Sequence, residues 1–187
     1  MSWPGIFDRA NELRDPAVRV HPTPFQTLAY CVVQACQSHP RFRSVLVGDE
    51  VIREYSHLNL GIAVGKPDGQ LTTAVVSDAG TLTFPNFIST LQKAIGRARR
   101  GEDQADGSVQ LHLTYMGSYD VYEAIPVLVA PAAAVLFIGS TFDLGGVETV
   151  NLVLTFDHRL IHGIEAARFL QTIKAIIENG LPKPEGK

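Results

Sequence analysis

The feature that most constrains the fold is an apolar strand pattern that runs almost directly into an amphipathic helix. Residues 148–156 are rich in Val, Leu and Thr, as strands are, and Ala166, Phe169 and Ile173 then recur at helical spacing. A strand followed so closely by a helix needs a sheet to join and a core for the helix to cover. His158 lies in the short turn between them, where an imidazole with an ordinary pKa of about 6.5 can exchange a proton near neutral pH.

The rest of the chain alternates helix and strand patterns in the same way. Thr23 predicts a helix N-cap, with Pro24 at the first helical position and Gln26 completing a capping box, and this helix is expected to end before Pro40. Two hairpins are predicted, the first from strands over 44–47 and 50–55 and the second from strands over 58–64 and 70–76. A second helix, capped by Thr83, is expected to end near Gly101. The remaining predicted elements are strands over 109–115, 135–141 and 148–156 and a final helix over 163–179. This order predicts an α/β (α+β) fold in which helices cover a mixed β-sheet.

Composition limits the domain count and the partners. The 187 residues, 45% hydrophobic and 19% charged, are enough for one sizeable core. We predict an irregular N-terminal segment over residues 1–22 and a single domain over residues 23–187. The net charge of -3 does not supply the attraction that nucleic acids and anionic lipids need, so neither partner is expected.

Two further features bear on the compartment. The most apolar segment, residues 124–139, is interrupted by Pro126 and Pro131 and is shorter than the roughly 20 residues of a membrane span. The first residues lack the apolar run of a secretory signal. Cys31 and Cys36 point to different faces of one predicted helix, which argues against a disulfide between them. We therefore expect a cytoplasmic protein with reduced thiols.

The turn around His158 resembles a known family motif. Asp157-His158-Arg159-Leu160-Ile161-His162-Gly163 is similar to the Asp-His-Arg-x-x-Asp-Gly signature of the acyltransferase catalytic domain of 2-oxoacid dehydrogenase complexes, a distant relative of chloramphenicol acetyltransferase. Further landmarks of that domain follow in the same order, over 58–64, 67–69, 75–79, 113–117 and 125–139, so the resemblance covers roughly residues 23–180. It implies a chloramphenicol acetyltransferase-like fold.

The resemblance also implies catalytic roles. Acyl transfer from a thioester needs a base for the attacking hydroxyl or thiol and a hydrogen-bond donor for the oxyanion that forms. His158 matches the family's base. Thr114, in Thr114-Tyr115-Met116-Gly117, matches its oxyanion donor. In the family these two groups meet across a trimer interface, which implies a homotrimer with active sites between subunits.

Residues around the base are expected to support it. By the resemblance, Asp157 and Arg159 hold the turn as an ion pair, and Gly163 permits close packing at the start of the helix. His162 departs from the family, which usually has Asp or Asn there, and we include it among the catalytic residues because an imidazole can also donate or accept a hydrogen bond. His158 and His162 could instead bind zinc through their spacing, but no further ligand accompanies them and no metal is expected.

Other polar residues have less specific patterns. His112 alternates with Leu111 and Leu113 and is predicted to face the same side as Thr114. Lys93, Arg97, Arg99 and Arg100 are typical of a solvated helix end, with attraction for coenzyme A phosphates as the alternative. No residue is assigned to cofactor binding.

These observations predict an enzyme, a transferase that needs no covalent acyl-enzyme. Its cosubstrate is expected to be acetyl-CoA or another acyl-CoA, and its acceptor the hydroxyl or thiol of a small molecule, as in tetronate O-acetylation. The sequence does not display the lipoyl and subunit-binding domains of the family's complexes. Two alternatives stay open, namely transfer to a lipoyl group on a separate protein and a non-catalytic trimeric scaffold.

Overall fold

The computed structural model describes residues 1–13, 21–48 and 50–180. Its helices are α1 (Pro4–Leu13), α2 (Pro24–Ala35), α3 (Phe84–Arg99) and α4 (Gly163–Asn179), and its strands are β1 (Ser44–Val47), β2 (Val51–Glu54), β3 (Leu60–Gly65), β4 (Leu71–Val76), β5 (Leu111–Tyr115), β6 (Ala134–Leu144) and β7 (Val147–Phe156). Short 3-10 turns cover Pro40–Arg43 and Ala79–Thr81. None of the helices in these ranges is long and apolar enough to cross a membrane.

The main sheet is mixed, as predicted. Its five strands run in the order β4-β3-β5-β6-β7, while β1 and β2 form a separate hairpin. The β3–β5 and β5–β6 pairs are parallel and the two outer pairs are antiparallel. Register places Thr114 of β5 beside Phe137 of β6, and Phe137 beside Val153 of β7.

The two faces of this sheet have different environments. Leu60, Ile62, Leu111 and Leu113 are almost fully buried against the helices and belong to the main core. Because side chains alternate along a strand, His112 and Thr114 point to the opposite face, where both are only partly buried. The functional residues therefore lie on the face that the helices leave open.

Helix α2 forms as its sequence predicts. The Oγ1 atom of Thr23 accepts a hydrogen bond from the backbone N–H of Gln26, and the Gln26 side chain accepts one from the backbone N–H of Thr23. This capping box satisfies donors that the first helical turn leaves unpaired. Thr83 is the N-cap residue of helix α3, as predicted, but its side chain makes no capping hydrogen bond.

Residues 4–13 of the N-terminal segment are helical, contrary to the irregular structure predicted for residues 1–22. Pro4–Leu13 is helical, with Pro4 in the first turn, and Ser2 forms an isolated antiparallel bridge with Thr149 of β7. Ile6 is fully buried in the common core. The apolar positions of this short helix gain stability by packing on the rest of the chain, which overrides its modest propensity.

Predicted turns and thiols can also be compared with the structure. The β6–β7 hairpin turns at Gly145 and Gly146, both at positive φ, which glycine adopts without steric cost. In the predicted Gly48-Asp49 turn, Asp49 lies outside the described residues. Cys31 and Cys36 are unpaired and buried, as expected, and burial raises the pKa of Cys31 to about 12 and that of Cys36 further.

Candidate active site

The turn between β7 and α4 is fixed by backbone bonds and by two buried side chains. The N–H of Asp157 donates to the carbonyl oxygen of Ala133 at 2.9 Å, which ties the turn to the start of β6. Leu160 and Ile161 are 3% and 0% exposed and insert into the core. His158 therefore projects to the surface from a rigid support.

Asp157 and Arg159 form the predicted ion pair. The Nη2 atom of Arg159 lies 2.7 Å from Oδ2 of Asp157, and its Nε lies 3.0 Å from Oδ1. The backbone N–H of Arg159 also donates to Oδ1 at 2.9 Å. The side-chain hydrogen bonds from Arg159 hold the pKa of Asp157 below its usual value, so the carboxylate stays charged near neutral pH.

The predicted base is exposed and stands between two rings. The His158 ring lies 5.8 Å from the Phe156 ring and 5.7 Å from the His162 ring, measured between centroids. His162 is the N-cap residue of α4, and its side chain makes no capping hydrogen bond within the described chain. The two imidazoles are close neighbours on the surface of the protomer.

Gly163 does not lie at the close packing contact that was expected for it at the start of α4. A β-carbon built on Gly163 meets no other atom within 4 Å in the described protomer. The first turn of α4 is open to solvent at this point. The prediction that glycine is needed here for close packing is therefore wrong within one protomer.

Thr114 lies where two cavities meet. The first cavity, about 850 Å³, has polar groups from Thr23, Gln26, Gln92 and Arg99 in its wall. The second, about 820 Å³, is mostly apolar and opens over the exposed face of the sheet. Thr114 lines both cavities, so its position allows a contact with ligands in either of them.

His112 shares the second cavity with Thr114, as the alternation of β5 predicted. Burial lowers the pKa of its imidazole, which favours the neutral ring. Its partner in register on β3 is Gly61, and a β-carbon on Gly61 would lie only 2.6 Å from Nδ1 of His112. The missing side chain at Gly61 thus makes room for the ring.

The structure keeps His158 and Thr114 apart within one protomer. Thr114 is level with Val153 of β7, and His158 follows five residues later, beyond the end of that strand. At ~3.3 Å per residue along a strand and ~4.8 Å between strands, the two residues are roughly 15–20 Å apart. They cannot contact one substrate atom from the same protomer.

The cationic cluster on α3 divides between two roles. Arg97 lies 3.4 Å from a Glu102 carboxylate oxygen and donates a hydrogen bond to Gln104. Arg99 instead lines the first cavity. The described residues contain no group of three or more His, Cys, Asp or Glu side chains that could hold a metal ion. The absence of a metal stays a prediction.

The order of these features along the chain matches one family of enzymes. The model of the 2-oxoacid dehydrogenases acyltransferase (catalytic domain) family matches residues 8–182. The chain belongs to this acyltransferase family. The match begins before residue 23, in agreement with the packing of α1 into the common core.

Two similar proteins are named as acetyltransferase components, and both are much longer than this chain. The dihydrolipoyllysine-residue acetyltransferase component of the pyruvate dehydrogenase complex from Mycobacterium bovis is 34% identical over 169 residues, which cover 81% of this chain and 30% of the relative. The dihydrolipoyllysine-residue acetyltransferase component of the acetoin cleaving system from Bacillus subtilis is 31% identical over 157 residues, which cover 78% of this chain and 39% of the relative. The chain thus spans between 30% and 39% of the length of these two relatives.

Solved structures confirm the acyltransferase fold. A truncated catalytic core of the 2-oxoacid dehydrogenase multienzyme complex from Thermoplasma acidophilum matches with a TM-score of 0.81 at 24% identity, covering 97% of this chain and 85% of that one. A chloramphenicol acetyltransferase matches with a TM-score of 0.68 at 19% identity, and the match covers 95% of this chain and 83% of that one. The mixed sheet with its covering helices is the fold that the sequence predicted.

Sequence reasoning missed the cavities on either side of Thr114. The second cavity combines strand residues with two loops, 103–109 and 121–131, which are separated along the chain. The alternation of His112 and Thr114 was the one signal available for it. Nothing in the sequence indicated that the loops would form walls around that sheet face.

Proposed function

We propose that this domain transfers an acyl group between coenzyme A and the thiol of a dihydrolipoyl group. The relatives at 34% and 31% identity are named for dihydrolipoyllysine residues, which supports a lipoyl acceptor over the small-molecule hydroxyl predicted from the sequence. The observation that carries the proposal is the position of Thr114 between two cavities, because acyl transfer joins two substrates at one carbonyl carbon.

The proposed chemistry needs only side chains of this protein. Neutral His158 takes the proton from the attacking dihydrolipoyl thiol, and the sulfur adds to the carbonyl carbon of acyl-CoA. The hydroxyl of Thr114 donates a hydrogen bond to the oxyanion that forms. When this intermediate collapses, the bond to the coenzyme A sulfur breaks and His158 returns the proton to that sulfur.

The distance between His158 and Thr114 supports an active site shared by two protomers of a homotrimer. Exposed apolar side chains border the second cavity, since Val127 and Val129 in its wall are 83% and 57% exposed, and Ile125 in the same loop is 83% exposed. Such a contiguous apolar border is typical of a surface that a partner covers. In the proposed trimer, this border receives the neighbouring protomer, which brings its His158 to the cavity.

Coenzyme A fits the first cavity better than the second. Its phosphates need cationic or N–H donors, and Arg99 supplies a guanidinium group to this wall. The pantetheine arm can then reach Thr114, where the thioester carbonyl belongs. Arg99 is therefore the proposed phosphate-binding residue of the α3 cluster.

His162 is proposed to position His158 rather than to react. The centroid of its ring is 5.7 Å from that of His158, a separation that allows both rings to contact the same substrate or water molecule. We expect His162→Asn, which restores an amide donor and acceptor, to preserve more activity than His162→Ala.

The test is acyl transfer from acetyl-CoA or hexanoyl-CoA to free dihydrolipoamide, measured by mass spectrometry of the acylated product. The wild-type protein is expected to turn over, and His158→Ala to lose about 10²- to 10⁴-fold in kcat. His21→Ala is the matched control, because His21 is exposed and lines neither cavity. Equal loss in both variants contradicts the assigned base.

Other acceptors give distinct outcomes in the same assay. Turnover with small-molecule hydroxyls but not with dihydrolipoamide overturns the lipoyl proposal and favours O-acylation. Binding of acyl-CoA without turnover for any acceptor favours the non-catalytic scaffold.

A further inference from the structure

We propose that the second cavity holds the acyl chain and selects a neutral, apolar acyl group larger than acetyl, with His112 as a specificity-determining residue. The inference rests on the proposed acyl transfer and names the substrate class of the same site. It follows from the volume, the lining and the charge of the cavity.

The floor of the cavity is a continuous apolar surface on the open face of the sheet. Phe137 is 2% exposed and Val135 is 5% exposed, so both of these apolar side chains are almost fully buried in the floor. The strand residues that line this cavity include Ala63, Thr73, His112, Thr114, Val135 and Phe137. An aliphatic chain that lies on this surface is removed from water, which favours its binding.

The position of Thr114 sets the direction of the chain. If its hydroxyl holds the carbonyl oxygen, the acyl group can extend toward His112, which lies two residues away on the same face at about 6.6 Å. A volume of about 820 Å³ greatly exceeds what an acetyl group needs.

The charges around the cavity oppose a dicarboxylic acyl group. Among the described residues that line it, none is Lys or Arg, whereas Asp103 and Asp106 are exposed at its rim. Hydrogen bonds from the side chain and backbone of Ser108 lower the pKa of Asp106, so this carboxylate is charged at neutral pH. A terminal carboxylate, as in a succinyl group, would meet negative charge and no cation.

His112 is the residue best placed to set this preference. Its ring lies on the cavity floor beside the path of the chain, and burial keeps it neutral by lowering its pKa. A neutral ring offers contact area without a counter-charge for a carboxylate. Replacing it with a cation should therefore change which acyl groups are accepted.

The test compares kcat/KM for acetyl-, isobutyryl-, hexanoyl- and succinyl-CoA with dihydrolipoamide as acceptor. We expect isobutyryl- or hexanoyl-CoA to exceed acetyl-CoA by about tenfold or more, and succinyl-CoA to be the poorest of the four. His112→Lys should raise the succinyl-to-hexanoyl ratio by about tenfold, whereas His112→Leu, of similar size and uncharged, should not raise it. A wild-type preference for acetyl or succinyl overturns the proposal.

A binding measurement separates this inference from the proposed reaction. If no thioester is turned over, the reaction is refuted, and calorimetric titration of the wild-type protein then tests the cavity alone. Tighter binding of hexanoyl-CoA than of succinyl-CoA and free coenzyme A supports the cavity assignment. Equal affinities, or affinities that His112→Lys does not shift toward succinyl-CoA, overturn it.

Discussion

Gly61 and His112 are paired in register on β3 and β5, and the imidazole occupies the space in which any other residue at position 61 would place its β-carbon. That β-carbon would lie 2.6 Å from Nδ1 of His112 and 2.9 Å from a methyl carbon of Val109. Gly61 and Val109 are buried, so the side chains of His112 and Val109 have little free room to move away from such a carbon. The ring on the cavity floor therefore depends on glycine in the adjacent strand.

Gly61→Ala is expected to destabilise the fold by about 1–3 kcal/mol through overpacking, measured by urea unfolding. The matched control is Gly65→Ala on the same strand, because nothing lies within 4 Å of a β-carbon there. Gly65→Ala should be neutral or slightly stabilising. Adding His112→Ala to Gly61→Ala should recover part of the loss, and strict additivity of the two substitutions would contradict the contact.

Asp157→Asn tests the ion pair that holds the turn. The pKa of Asp157 is lowered in the folded state, so its contribution to stability is present above the unfolded pKa of about 3.9 and is lost as pH falls through the folded pKa. The Arg159 side chain is 61% exposed, so a loss of only about 0.5–1 kcal/mol is expected at pH 7. Urea unfolding at several pH values should show this difference disappearing in acid; a constant difference would contradict the pairing.

Cys31 and Cys36 are expected to resist alkylation in the native protein. Burial raises the pKa of Cys31 to about 12 and raises that of Cys36 as well, so almost no thiolate is present at pH 8. Mass spectrometry after iodoacetamide treatment should show no labelled cysteine in the folded protein and two in urea. Rapid native labelling of either thiol would show that α2 is less protected than its packing indicates.

Local signals predicted the elements that flank the active site. The Thr23–Gln26 capping box fixed the start of α2, and the apolar periodicities on both sides of His158 fixed β7 and α4. These features depend on neighbours in sequence. Helix α1 was missed because its stability depends on contacts with distant elements, such as the packing of Ile6 in the common core.

The candidate site was predictable only in part. The side of the sheet on which His112 and Thr114 lie follows from strand alternation, and the family motif marks His158 and the Asp157–Arg159 pair. The cavities were not predictable, because loops far apart in sequence form their walls. The predicted packing role of Gly163 has no counterpart in the described protomer, because a β-carbon at this position meets no atom within 4 Å.

The central claim is that His158 of one protomer acts on a substrate held by Thr114 of another. His158→Ala and Thr114→Val, which each remove one of these groups, should be nearly inactive as separate proteins. Analytical ultracentrifugation should first show a species of three times the 20.3 kDa chain mass for each.

The most direct measurement is acyl transfer after the two inactive variants are unfolded together, mixed in equal amounts and refolded. In mixed trimers, a protomer with intact His158 can lie beside one with intact Thr114, so about one quarter of the sites should be complete and activity should return to that fraction of wild type. Activity no higher than the mean of the separate variants would contradict an active site shared between protomers.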